Sequence, residues 1–473
     1  MIQQLAERKK AELELKVATL ESELQCWYNR SEAGGLFEKH HTQIRALRAH
    51  LKGWHASIRA RLDKYKGQAP DQYLNNSANA DSLILSEHRI WDYFRSKFIQ
   101  RQEDCFLPYL RAADEFAWEC YRPVQEIVYP RADDAKRKEP PLVFFNGGVS
   151  PFSVSRGKLF QPEPVAGEVL NLDPEDYVTR LPIPVVGVPW DQISHLPAVL
   201  VIGHEVGHIV EDDFGLEEGL VAILKAALEK AKADETRTAA WNSWLGEIFA
   251  DLYGCLAGGP AFAGTLIDFL AKGKDQICME QQTAAQWEKY PTDFLRVEII
   301  LKALEVMNFE KEVSDYRHLW ANYSSSMPVA YTDDIKIIVP QLLETGHDVL
   351  GNKSIKQVLS FSEGRQQKVN EVIKEFSESK APFDTKVEIP STDIRVLFAA
   401  LRRAFEIDAY KYVTSGYGKA MLDHVQEKVI KKGTRGRAGE EVLEGKKLET
   451  KLNSYEQGGA DLVESIIIDM KIE

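Results

Sequence analysis

Apolar residues recur at helical spacing over most of this chain, and the exceptions lie in its middle third. Leu13, Leu15, Val17, Leu20 and Leu24 stand among Lys and Glu in a first stretch that reads as helix to about residue 66. A break at Ser31–Gly35 divides it into two helices folded back on each other. Residues 67–82 (GQAPDQYLNNSANADS) are polar and rich in turn formers, so a loop is expected there. From 83 to about 128 the helical texture returns, with Trp91, Tyr93, Phe94, Phe98, Phe106, Tyr109, Phe116 and Trp118. That aromatic set is expected to pack between helices and not to line a ligand groove.

After the charged segment PRADDAKRKEPP (130–141) the pattern changes. LVFFNGG (142–148) reads as a strand running into a turn, and FSVSRG (152–157) as its hairpin partner. IPVVGVP (183–189) is a third strand. Proline cannot donate to a ladder, so Pro182, Pro184 and Pro189 place this strand at a sheet edge. Helix is expected from Pro189 to about Met307 and over most of 308–473, with breaks near 379–392 and 431–441. The fold class is therefore mostly α (α+β), with a small sheet. Three parts are expected: an N-terminal helical domain over 1–130, a central domain over 131–310, and a C-terminal helical domain over 311–473.

Composition narrows the function. A chain of 473 residues with 44% hydrophobic and 28% charged residues is long enough for more than one core. The net charge of −13 repels nucleic acid and anionic membrane; the basic stretch at 431–441 reads as a solvated loop. Five cysteines at irregular spacing, with no CxxC pair, argue against a disulfide framework or a cysteine-rich zinc site. The N-terminus lacks the apolar run of a signal peptide, and residues 252–267 fall short of a membrane span. A cytoplasmic location is expected.

The chemistry is concentrated in HLPAVLVIGHEVGHIVEDDFG (195–215). Ser194 is a candidate N-cap, Pro197 falls in the first turn, and Gly215 is a candidate stop. A helix puts His204 and His208, four apart, on one face, so that two ring nitrogens reach one metal ion. Glu205 then stands beside the first ligand, able to reach a water there. Buried imidazoles satisfied by hydrogen bonds would be the plain alternative. A second segment, WLGEIFADLYG (244–254), favours the metal: Glu247 and Asp251 are again four apart among bulky apolar residues, and need a positive partner. Zinc for Glu247 and a ligand imidazole N–H for Asp251 would satisfy both.

HExxH followed by ExxxD on a later helix resembles the gluzincin zinc metallopeptidases, the group that includes thermolysin; HEVGH with EIFAD is similar to the HExGH and ExxAD forms of bacterial members. The resemblance covers residues 180–310 only. It implies a zincin-like core with His204, His208 and Glu247 as zinc ligands, Glu205 as general base, and Asp251 orienting a ligand histidine, His204. It also implies an edge strand that pairs with extended substrate, with IPVVGVP in the matching place. YPTDFLRVE (290–298) resembles a histidine–proline segment followed by arginine, with Tyr290 in the histidine's place. Arg296 is then a candidate to steady the oxyanion or to form a structural ion pair, and Tyr253 and Tyr290 are candidate oxyanion donors. His195 reads as a surface or capping residue, Glu211, Asp212 and Asp213 as a solvated helix exit, and His40 and His41 as ordinary. The expected activity is hydrolysis of peptide bonds in a peptide or protein substrate, with the helical flanks open to a protein partner. A zinc amidohydrolase of a non-peptide substrate, and a helical interaction protein with a structural or inactive zinc site, are the rivals.

Overall fold

The computed structural model describes residues 1–130, 136–156, 182–285, 287–378, 389–430 and 445–469. The chain opens with three long helices, α1 (Ile2–Arg30), α2 (His41–Tyr65) and α3 (Pro70–Ile99), followed by α4 (Leu107–Val128). On α1 the buried positions are Leu13, Val17, Leu20, Leu24 and Trp27, a stripe at helical spacing; Leu15 is exposed. The expected loop at 67–82 is a turn of only a few residues. Pro70 opens α3, where its missing N–H costs nothing, and Tyr73, Ser77 and Ala80 are buried in the packing of α3 against α1. Tertiary burial overrides the turn-forming composition there.

The strands are β1 (Leu142–Asn146), β2 (Phe152–Val154) and β3 (Val185–Pro189), in the spatial order β1-β3-β2. This corrects two expectations. β1 and β2 do not form a hairpin; β3 lies between them, parallel to β1 and antiparallel to β2. IPVVGVP is thus the central strand and β2 is an edge. Pro182 and Pro184 precede the ladder and Pro189 ends it, so Val185–Val188 keep their donors. Phe152 closes over β3 at Gly187, where a Cβ would lie 2.5 Å from its ring.

Helices then follow: α5 (Ile202–Phe214), α6 (Glu217–Lys230), α7 (Glu235–Gly258), α8 (Pro260–Leu270), α9 (Lys274–Met279), α10 (Asp293–Val306), α11 (Glu310–Trp320) and α12 (Val329–Glu344). After the short hairpin β4 (Gly346–His347) and β5 (Lys353–Ser354) come α13 (Ile355–Val358), α14 (Glu363–Glu378), α15 (Ile394–Ile407), α16 (Ala409–Ser415), α17 (Tyr417–His424) and α18 (Gly445–Asp469). Of the two expected breaks, 379–388 and 431–444 lie outside the described residues.

Two hydrophobic cores meet across the sheet. Leu142, Phe144 and Val185 face a first core made by α1–α3 and α18. Val143, Phe145, Val186 and Val188, alternate along the same strands, face a second core that holds α4–α17. The two cores do not divide at 130/131 or at 310/311. α4 belongs with the second core, 329–425 packs into it as well, and α18 returns to the N-terminal bundle. There Gly53 and Gly459 let α2 and α18 cross closely: a Cβ at either would stand under 2 Å from the other helix's backbone carbonyls. The aromatic set behaves as core: Trp91, Phe94, Phe98, Tyr109, Phe116 and Trp118 are buried. None of the described helices is long and apolar enough to cross a membrane.

Candidate metal centre

α5 enters through a 3-10 segment, Leu196–Val201, with His195 at its N-cap position and Pro197 in its first turn. Ser194 is not the cap. Gly215 ends α5 with φ 65°, the left-handed conformation that glycine adopts without strain. α5 lies directly on α7. At Gly207 a Cβ would stand 3.0 Å from Ala250 Cα and Tyr253 Cβ, and at Gly203 3.2 Å from Ala257 Cβ. The glycine of HEVGH thus sets the spacing at which α5 imidazoles and α7 carboxylates share one site.

His204 Nε2 and His208 Nε2 lie 3.2 and 3.3 Å from the same oxygen, Glu247 Oε2. These three residues form the one His/Cys/Asp/Glu group of this kind among the described residues. Two atoms each about 2.0–2.1 Å from a tetrahedral zinc ion stand about 3.3 Å apart, so the spacing fits that metal. The chemistry of the donors fits too. Glu247 is buried, and neither of its carboxylate oxygens has a hydrogen-bond partner. Burial opposes its charge, yet His204 and His208 hold its carboxyl well below the usual carboxylate range. An anionic oxygen so placed calls for a cation.

The surrounding groups orient these donors. His204 Nδ1 lies 2.8 Å from Asp251 Oδ1, so with Nδ1 protonated it donates to Asp251 and leaves Nε2 free for a metal. Arg296 donates to the same carboxylate through Nε (2.9 Å to Oδ2) and a terminal nitrogen (2.8 Å to Oδ1). Arg296 thus forms a structural ion pair with Asp251. Burial works against the charge on Asp251, but Arg296 and His204 keep it ionised. The same competition on His204 ends the other way from burial alone: Asp251 and Glu247 raise its pKa to about 9.

A cleft opens on both sides of Glu205. One part, of about 590 Å³, is lined by His204, Glu205, Tyr290, Arg296, Phe262 and Leu266; the other, of about 490 Å³, by Glu205, His208, Tyr290, Lys289 and the edge residues Phe152 and Ser153. Tyr290 stands between them, its ring 4.8 Å from the Arg296 guanidinium. Burial, then the charge of Glu247, raises its phenol above the ordinary tyrosine value. Tyr253 does not share this place. It is fully buried and donates to the Cys120 carbonyl at 2.7 Å, which corrects its candidacy as an oxyanion donor.

Three further expectations are settled by placement. His195 lines the larger part of the cleft, its ring edge-on to Phe405 at 4.9 Å, outside the group of His204, His208 and Glu247. The solvated helix exit is corrected for Asp213, which is buried and bonded to Tyr121 and Arg156; the carboxylate turns inward where α5 meets residues 138–156. His40 packs inside against Gln43 and Asp114. Lys289 is the residue that sequence reading missed: its ammonium contacts Glu247 Oε1. It stands in an irregular segment between α9 and α10, where no periodicity points to a partner. No protein-family model matches the chain, and neither a curated protein nor a solved structure shows significant similarity to it.

Proposed function

We propose that this chain is a zinc-dependent metallopeptidase of the gluzincin kind, with His204, His208 and Glu247 as zinc ligands. One observation carries the reading: two imidazole nitrogens and one buried carboxylate oxygen converge at tetrahedral zinc spacing, directly beside the cleft-lining Glu205. Zinc bound there supplies Lewis acidity and makes water acidic near neutral pH. Glu205 takes the proton of the attacking water and returns it to the leaving nitrogen. Tyr290 donates its phenolic hydrogen to the developing oxyanion. Asp251 fixes the tautomer of His204, and Arg296 keeps Asp251 charged. The peptide or protein substrate lies extended along β2, the sheet edge beside the cleft, which offers backbone groups for pairing. The compartment we assign is the reducing cytoplasm, in keeping with five cysteines that are all free thiols.

The test is Glu205→Gln. The variant is expected to bind zinc stoichiometrically and to lose cleavage of a peptide library read by mass spectrometry. Cleavage at the parent's rate would refute the role of Glu205. A parent protein that binds no zinc would refute the centre itself.

A further inference from the structure

Glu247 presents its two oxygens to different partners. Oε2 faces the imidazoles of His204 and His208, at 3.2 and 3.3 Å, while Oε1 meets the ammonium of Lys289. The carboxylate is fully buried, yet the lysine side chain is 68% exposed, so a surface residue reaches inward to one oxygen only. Its backbone is held for that reach. Ser243 and Trp244, on the helix that carries Glu247, grip the segment on both sides of Lys289. Ser243 Oγ donates to the Glu288 carbonyl at 3.0 Å. Trp244 Nε1 donates to Gln282 Oε1 at 3.0 Å, and Gln282 donates to the Tyr290 carbonyl at 2.8 Å.

We propose that Lys289 is a positioning residue that occupies the outer oxygen of Glu247 and so restricts this ligand to one-oxygen coordination of the metal. The inference rests on the reading of His204, His208 and Glu247 as a metal centre. A carboxylate with both oxygens available can chelate; one whose outer oxygen carries an ammonium cannot, and donates less charge through the other. Lysine suits the task as a compact point charge on a flexible stem. Two consequences follow for the centre. A coordination position stays open for water and substrate, and the metal keeps more of its Lewis acidity. The cost is weaker metal binding, since a second cation shares the same carboxylate.

The experiment uses the full chain loaded with Co2+, whose visible absorption reports ligand number, beside zinc affinity from chelator competition. Lys289→Met removes the charge and keeps the stem; Lys289→Arg keeps a cation in place. The exposed position lets both variants fold, which an unchanged thermal midpoint checks. In Lys289→Met the Co2+ absorption is expected to fall, as the centre goes from four to five ligand atoms. Zinc affinity is expected to tighten roughly tenfold, the scale on which groups around a metal's ligands act. Lys289→Arg is expected to retain the parent's spectrum and affinity. An unchanged spectrum in Lys289→Met, or a zinc affinity equal to or weaker than the parent's, overturns the proposal. If the parent takes up no Co2+, the metal centre falls and this role falls with it.

Discussion

Arg296→Met tests how the centre is held, because it removes a cation and keeps most of the side-chain volume. Asp251 is 1% exposed and accepts three hydrogen bonds, two from Arg296 and one from His204. Removing one partner of a buried ion pair typically costs about 3–5 kcal/mol, most of it from the charge left behind. Here His204 remains as a donor, so the lower end, about 3 kcal/mol, is expected, roughly a hundredfold in the unfolding equilibrium. Urea unfolding followed by tryptophan fluorescence reads this directly, since Trp241 and Trp244 lie buried on the same helix as Asp251. The companion variant Arg296→Met/Asp251→Leu separates stability from function. Replacing both charges by apolar groups should recover most of the lost stability. Zinc affinity should nevertheless fall by about 10- to 100-fold, because His204 loses the acceptor that fixes its tautomer. The reasoning is refuted if Arg296→Met unfolds within 0.5 kcal/mol, roughly the surface-substitution range, of the parent, or if the double variant is no more stable than the single one.

Two more outcomes follow from placement. Tyr290→Phe is expected to lower kcat roughly 100-fold with zinc affinity unchanged, the usual scale for one oxyanion donor. Tyr253→Phe should leave turnover intact and cost only about 1 kcal/mol of stability, from the lost bond to Cys120; steady-state kinetics on both variants decides between them. His50 is fully buried in the α2–α18 crossing, and burial lowers its pKa to about 4. Its folded-state pKa lies below the unfolded value, so its contribution is complete above pH 6.5 and is lost as pH falls toward 4. At about 1.4 kcal/mol per pH unit this makes about 3 kcal/mol. Urea midpoints at pH 7 and pH 4.5 should therefore draw together in His50→Leu; an equal acid loss in both proteins would show that His50 is not the group responsible.

What was legible in the sequence was local. His204 with His208 and Glu247 with Asp251 are each four apart, and a helix turns such pairs to one face whatever surrounds it. The same geometry held a warning about Tyr253. It lies two residues after Asp251, about 200° around the helix, and so faces away from the carboxylates. The glycine of HEVGH was equally local, but its meaning depends on α7 lying against it. The illegible features were those set by pairing at a distance. Prolines around 182–189 suggested an edge, yet they flank the ladder and leave its donors intact. The stretch 67–82 has loop composition, but α1 offers it a surface to bury against. Lys289 carried no signal, because an ion pair from an irregular segment to a helix 42 positions earlier has no period.

The largest departure, the return of α18 to the N-terminal bundle, bears on how the flanks relate to the cleft. Lys451 of α18 pairs with Glu139 at 2.6 Å, both buried. The Glu139 carbonyl accepts from Arg156, and Arg156 donates in turn to both carboxylate oxygens of Asp213 at 3.0 and 3.1 Å. Asp213 lies on α5, five residues beyond His208. An unbroken run of buried and part-buried polar contacts thus joins the last helix of the chain to the helix that carries the imidazoles. It passes through the segment that bears β2, the strand at the cleft. Lys451, Glu139 and Asp213 are charges removed from water, so loss of a partner leaves another uncompensated. The sheet adds a second, apolar tie, since its two faces are buried in the two different cores. A change in the docking of α18 therefore acts on the wall of the cleft and on the end of α5 together. The helical flanks are part of what holds the cleft in shape.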